Sequence, residues 1–158
     1  MKNYFLKLFM FVVVLLSVLY ILMTPSMAFS PASNTIYEGI DVSAWQRDID
    51  FNQVRDSGIS IVYIKSSEGF SFVDPYFEQN YANAKSAGLK VGFYHYVTAR
   101  TVAESIRQAE FFVSTISGKS PDCKLSIDFE SFGSLDVNAI NQISLACLID
   151  SATVLAVT

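Results

Sequence analysis

Residues 60–97 read SIVYIKSSEGFSFVDPYFEQNYANAKSAGLKVGFYHYV, two β-rich runs with a helical pattern between them. Ser60 to Lys65 and Leu89 to Val97 are dense in the β-branched and aromatic residues that suit a pleated, half-buried surface. Between them, Asp74-Pro75 places a capping carboxylate before a proline at a first helical position. Phe77, Tyr81 and Ala84 then share one helical face, and Gly88 supplies the left-handed residue that ends a helix. Strand, helix and strand at this spacing form the crossover unit of a parallel sheet.

The alternation continues in both directions. Upstream, Ile36 to Val42 reads as a strand, and a short helix or turn over Asp50 to Ser57, stopped by Gly58, joins it to Ser60 to Lys65. Downstream, Thr101 with Glu104 forms a capping box, and Val102, Ile106, Ala109, Val113 and Ile116 follow helical spacing until Gly118. Lys124 to Glu130 is a fourth strand, Val137, Ile140, Ile143 and Cys147 mark a fourth helix, and Thr153 to Val157 reads as a fifth strand. The fold class is therefore α/β, with a parallel sheet or barrel whose ligands gather at the carboxyl ends of the strands. A complete eight-stranded barrel takes roughly 200 residues or more. Residues 29–158 thus predict either a small open sheet or an incomplete barrel of about five parallel strands. An open parallel sheet leaves an unpaired edge, so low stability or self-association is expected.

The whole chain has 158 residues, a formal net charge of −4, 51% hydrophobic and 16% charged residues, which suits a globular domain rather than a disordered tail. The acidic isoelectric point near 4.8 and the lack of a Lys/Arg cluster exclude a nucleic-acid partner, because phosphate binding relies on concentrated positive charge. The mean hydropathy of +0.35 is high for a soluble protein. Its excess lies in Leu8 to Met23, apolar apart from Ser17 and Tyr20, preceded by Lys2 and Lys7 and followed by Ser26-Met27-Ala28. This pattern reads as a secretory signal peptide over residues 1–28, leaving a leader at 29–35 and a domain at 36–158. The product would be secreted or associated with the cell wall. The other reading is an uncleaved anchor, although the apolar run reaches only about 24 Å as a helix against a hydrocarbon core of roughly 30 Å. A membrane is a partner only in that second case.

Cys123 and Cys147 are too few and too far apart for a zinc ribbon or a redox motif. They are either two small buried hydrophobes or, given export, a disulfide at the bottom of the barrel.

The chemistry-bearing residues fall at the carboxyl ends of the strands: Asp41 after the first, Lys65 and Glu68 at the second, Asp128 and Glu130 on the fourth. Asp128 and Glu130 are two apart on a strand, so they point to one face. Close like charges and partial burial raise the pKa of one member, which keeps a protonated acid beside an ionised partner, as glycoside hydrolysis requires. The plainer alternative is that Asp-x-Glu on a strand caps the next loop or pairs with Lys65.

The surrounding residues bear on that choice. Gly39-Ile40-Asp41-Val42-Ser43-x-Trp45-Gln46, Ile49-Asp50-Phe51, Tyr63-Ile64-Lys65-x-Ser67-Glu68-Gly69, Asp74-Pro75-x-Phe77, Ala87-Gly88-Leu89, Gly92-x-Tyr94-His95-Tyr96 and Ile127-Asp128-x-Glu130 occur in order. Together they resemble glycoside hydrolase family 25, the lysozymes of the bacterial and phage muramidase type. The resemblance covers Ile36 to Glu130 and fades beyond it, about the first two-thirds of a family domain. It implies a TIM-like α/β barrel, incomplete here, and an N-acetylmuramidase that cleaves the β-1,4 bond between N-acetylmuramic acid and N-acetylglucosamine in peptidoglycan, the alternative being an inactive truncated remnant or a non-catalytic glycan-binding module. No metal or cofactor is implied, and the partner is the peptidoglycan glycan strand. By motif position, Glu130 would be the general acid. Asp128 would orient the acetamido group or stabilise developing positive charge, and Asp41 would hold that network and the sugar in place.

Lys65 and Glu68 either line the sugar cleft or form a strand-end ion pair. Tyr94 and Tyr96 are placed to contact sugars, with an apolar ring face and a polar tip, and strand alternation turns His95 away from them. Trp45 reads equally as cleft wall or core packing, and Asp74 as a helix cap. Two residues depart from the family pattern: Arg47 stands where glycine is common, and Phe51 where tryptophan is common.

Overall fold

The computed structural model describes residues 35–157. The expected signal or anchor at residues 1–28 and the body of the leader lie outside the described residues. Among the described residues, no helix is long and apolar enough to cross a membrane.

The elements are β1 (Gly39–Val42), a 3-10 turn (Ala44–Gln46), α1 (Phe51–Asp56), β2 (Ile61–Glu68), β3 (Phe72–Val73), α2 (Phe77–Ser86), β4 (Lys90–Tyr96), α3 (Val102–Thr115), β5 (Ser126–Asp128) and α4 (Val137–Val157). They build a five-stranded sheet in the order β1-β2-β4-β5, with β3 paired to β2. All pairs are parallel except β2 with the short β3. Spatial order follows chain order, so the sheet winds in one sense, as a barrel does, instead of reversing as in doubly wound sheets. The sheet is α/β and parallel, as expected, and among the described residues it does not close.

One expected strand is absent. Thr153 to Val157 continues α4. No glycine or proline interrupts Val137 to Val157. A five-residue apolar run does not by itself distinguish a strand from a buried helical segment, and here it extends a helix already under way. Among the described residues β5 is the fourth and last parallel strand of the sheet.

The sheet's two faces differ. On the helix side, Val42, Val62, Ile64, Val91 and Phe93 pack with Phe51 of α1, Phe77 and Ala84 of α2, Phe112 of α3 and Ile116 at its C-cap. Burying each large apolar side chain contributes about 1.5–3 kcal/mol, and this layer holds the strands in register. Phe93 sits at its centre, edge-on to Phe77 at 5.2 Å and to Tyr81 at 5.5 Å. A second cluster of Val97, Ala99, Ala109, Ile143 and Cys147 seats α4 on α3. The buried face of α3 includes Ser105 and Gln108, whereas Val102 and Ile106 lie partly exposed, so the true stripe is rotated from the apolar spacing. Ser105 reconciles its burial by donating to the Ile143 carbonyl at 2.6 Å.

Two local expectations are corrected as well. Asp74-Pro75 lies in a turn ahead of α2, whose N-cap is Tyr76. Asp74 accepts from the Tyr76 N–H at 2.9 Å and from the Ala44 N–H at 2.9 Å, so it ties the β1 turn to the start of α2. The two cysteines are free. Cys123 donates its backbone N–H to the Val91 carbonyl near the start of β4, while Cys147 packs on Val97 and Ala99 beyond its end. Six residues of strand, about 20 Å, separate those levels, against roughly 7 Å between Cα atoms for a disulfide. Only Cys123 is at the bottom of the sheet.

Candidate active site

The face opposite the helices carries the polar residues, and strand registry sets them in rows. Asp41 pairs with Tyr63 and Tyr63 with Gly92; Lys65 pairs with Tyr94 and Tyr94 with Ser126; Glu68 pairs with Tyr96 and Tyr96 with Asp128. A register shift between Lys65 and Ser67 inserts one extra residue in β2. It keeps Lys65 and Glu68 on the inner face while Ser66 and Ser67 are buried.

A concave pocket of about 560 Å³ opens on this face, with Asp41, Asp128, Glu130, Tyr63 and Tyr94 among its lining residues. The three carboxylates singled out in the sequence therefore share one cavity, which extends along the inner face from Gly39 and Ile61, the first residues of β1 and β2, to Asp128 at the end of β5 and Glu130 beyond it. Burial first, then the Glu130 charge and a hydrogen bond with Glu130, hold the Asp128 carboxyl above its ordinary pKa, with Lys65 opposing and Asp41 reinforcing the rise. Glu130, two residues past β5, is exposed at the pocket mouth. The Tyr94 phenol is pushed up to about 12 by burial and by the Asp41, Asp128 and Asp74 charges, while a Ser43 hydrogen bond opposes the rise. Tyr94 thus stays a neutral hydrogen-bond donor amid the acids.

Lys65, Glu68 and Trp45 line an adjoining groove of about 430 Å³ with Ala44, Arg47, Phe72 and Asp74. Lys65 and Glu68 form the expected ion pair at 2.7 Å, and the pair lines this groove. The Lys65 ammonium also lies 4.9 Å from the Tyr96 ring centroid, so Tyr96 supports Lys65 and does not line the acid pocket. Trp45 is 89% exposed, which excludes core packing.

His95 points to the helix side. Its Nδ1 is 2.8 Å from the Ser67 hydroxyl and its Nε2 3.4 Å from Gln108 Oε1, with the ring stacked on Phe112 at 5.5 Å. Burial pushes its pKa down to about 4, with Gln108 opposing, so it is a neutral core residue that pins the β2 irregularity from behind. Among the described residues no cluster of three His, Cys, Asp or Glu side chains could hold a metal ion.

The sequence alone did not single out Tyr63, Ser43 or Arg47 as site residues. Tyr63 lies over Gly92, where a Cβ would approach its ring to 2.5 Å, and its hydroxyl donates to the Lys124 carbonyl at 3.0 Å. Glycine in mid-strand was the available signal for such a close approach. Arg47 has φ 57° and ψ −133°, and among the described residues it is the one non-glycine with positive φ. That conformation accounts for glycine being the common residue there.

A mainly parallel sheet wound in one sense, with three acids lining a cavity on its inner face, defines an open, barrel-like α/β protein. The sequence model described as Glycosyl hydrolases family 25 matches residues 40–149, and the chain belongs to that family. It is 47% identical over 93 residues to the autolytic lysozyme of Clostridium acetobutylicum, covering 59% of this chain and 28% of that protein. It is 43% identical over 93 residues to lysozyme M1 of Streptomyces globisporus, covering 58% of this chain and 31% of the relative. The bacterial lysozyme of Streptomyces coelicolor superposes with a TM-score of 0.61 at 29% identity, covering 77% of this chain and 59% of that one. The chain thus spans less than a third of the length of these two curated relatives.

Proposed function

We propose that this protein is a muramidase that hydrolyses the β-1,4 bond between N-acetylmuramic acid and N-acetylglucosamine in peptidoglycan, acting outside the cell or at the wall. The observation that carries the reading is the shared pocket of Asp41, Asp128 and Glu130, in which burial and the neighbouring Glu130 hold the Asp128 carboxyl above its ordinary pKa. Family membership and the lysozyme relatives support the same substrate class.

In this reading Glu130, the exposed member, gives a proton to the glycosidic oxygen as the bond to the anomeric carbon breaks. Asp128, deeper and hydrogen-bonded to Glu130, faces the positive charge that develops on the sugar or orients its acetamido group. Asp41 adds negative potential from β1, and the Tyr94 phenol supplies a fixed donor between them. Water then adds its hydroxyl to the anomeric carbon and returns a proton to Glu130.

The test is release of new reducing ends from purified peptidoglycan by this protein and its Glu130→Gln variant. Release by the wild type, lost by at least about 100-fold in the variant with glycan binding retained, supports the reading. Glycan binding without release by the folded wild type would make the protein a binding module instead.

A further inference from the structure

We propose that the groove beside the acids is a subsite for a sugar residue bearing a carboxylate, with Arg47 as its counter-ion and Trp45 as the platform for its ring. This rests on the glycan-cleaving reading above and specifies which part of the strand the groove takes.

The first observation is backbone geometry. At φ 57° and ψ −133°, Arg47 occupies a region that glycine enters freely and a side chain enters only under constraint. The constraint is visible. Ser43 and Gln46 form a capping box, with the Ser43 N–H donating to Gln46 Oε1 at 2.8 Å and the Trp45 N–H to Ser43 Oγ at 3.3 Å. Asp74 grips the Ala44 N–H from α2's side, and the Arg47 N–H closes the turn on the Ala44 carbonyl at 3.2 Å. A turn pinned at both ends projects two large side chains into water.

The second observation is charge. Both acids of the groove are already engaged: Glu68 by Lys65 at 2.7 Å, and Asp74 by two backbone N–H groups. The exposed Arg47 guanidinium has no ion pair or side-chain hydrogen bond among the described residues. It is the unpaired cation of the groove, and its planar fork suits a carboxylate in two-point contact. The third is the exposed indole of Trp45 with half-exposed Phe72 in the same groove. An aromatic face beside a free guanidinium matches a pyranose ring carrying an anionic substituent. The groove adjoins the reaction centre through Lys65, which lines it and electrostatically opposes the rise at Asp128. In peptidoglycan the carboxylate belongs either to the lactyl group of muramic acid or to the stem peptide attached there.

The experiment measures binding of two probes by calorimetry: a tetrasaccharide of alternating N-acetylglucosamine and N-acetylmuramic acid with free lactyl carboxylates, and the uncharged chitotetraose. Both are run with the wild type, Arg47→Gly and Trp45→Ala, alongside thermal melts. The wild type is expected to prefer the charged probe about fivefold. Arg47→Gly is expected to erase that preference while raising the melting midpoint by roughly 3–10 °C, because strain is released. Trp45→Ala is expected to weaken both probes. A preference seen only with strands bearing stem peptides assigns the carboxylate to the peptide. An unchanged preference in Arg47→Gly, or wild-type binding of chitotetraose as tight as that of both the lactyl-bearing and the peptide-bearing strands, overturns the inference and leaves the muramidase reading standing. Failure of the wild type to bind either probe or the peptide-bearing strands overturns both.

Discussion

Gly92 gives the sharpest test of how the inner face is built. It lies in β4 directly beside Tyr63 of β2, and a Cβ there would sit 2.5 Å from Tyr63 Cε1 and 2.7 Å from Cδ1 and Cζ. Carbon atoms in contact prefer about 3.5–4.0 Å, so Gly92→Ala must displace the ring by roughly an ångström. The ring is held by its hydroxyl, which donates to the Lys124 carbonyl at 3.0 Å. Overpacking of this kind costs about 1–3 kcal/mol, and losing the Tyr63 hydrogen bond adds about 1 kcal/mol. Against this, replacing glycine within a strand contributes about 0.5–1 kcal/mol. The net expectation is a destabilisation of about 1–3 kcal/mol, read from urea unfolding midpoints at constant slope. Because the cost arises from one contact, Gly92→Ala made in a Tyr63→Ala background should be neutral or stabilising, giving a coupling energy of the same size. Equal effects of Gly92→Ala in both backgrounds would refute the argument, as would a neutral effect with Tyr63 present. The displaced ring also enters the acid pocket, so substrate affinity should fall with stability.

Further outcomes follow from the buried titratable groups. His95 titrates near 4 in the fold and about 6.5 when unfolded, so its neutral form is favoured by folding. Stability should therefore be full above pH 6.5 and fall by about 3 kcal/mol as pH drops to 4; His95→Gln should remove that slope from a pH series of melts, and an unchanged slope would contradict the assignment. Asp128 has a raised pKa in the fold, so its ionisation costs stability as pH rises above the ordinary carboxylate range. Asp128→Asn should thus raise the melting midpoint at pH 7 more than at pH 4 while cutting cleavage at least about 100-fold, and a lower midpoint at pH 7 would count against the stated cause.

The legible part of this molecule is the part governed by local pattern. Ser60 to Lys65 and Leu89 to Val97 announced β2 and β4 because two-residue alternation survives whatever packs on it. Lys124 to Glu130 was legible only in part: the strand is Ser126–Asp128, so Glu130 lies beyond it, yet both acids line one pocket. Elements that depend on distant partners were harder to read. Asp74 looked like a cap, yet one of its oxygens serves Ala44, thirty residues away in sequence. Thr153 to Val157 is apolar and β-branched, and it became helix because nothing ended the helix before it. The α3 stripe was misplaced because Ser105 and Gln108 are buried through hydrogen bonds to Ile143 and Thr98, which no apolar spacing reveals. Arg47 shows the reverse case: its departure from the family glycine was visible in the sequence, and its positive φ gives that departure a physical meaning.

The most direct measurement of the account is the identity of the sugar left at each new reducing end. Peptidoglycan incubated with the protein, reduced with borohydride and hydrolysed, is analysed by mass spectrometry. The proposed muramidase function predicts that muramitol accumulates, and that it does not with Glu130→Gln. Accumulation of glucosaminitol, or muramitol formed equally by the variant, would contradict the account.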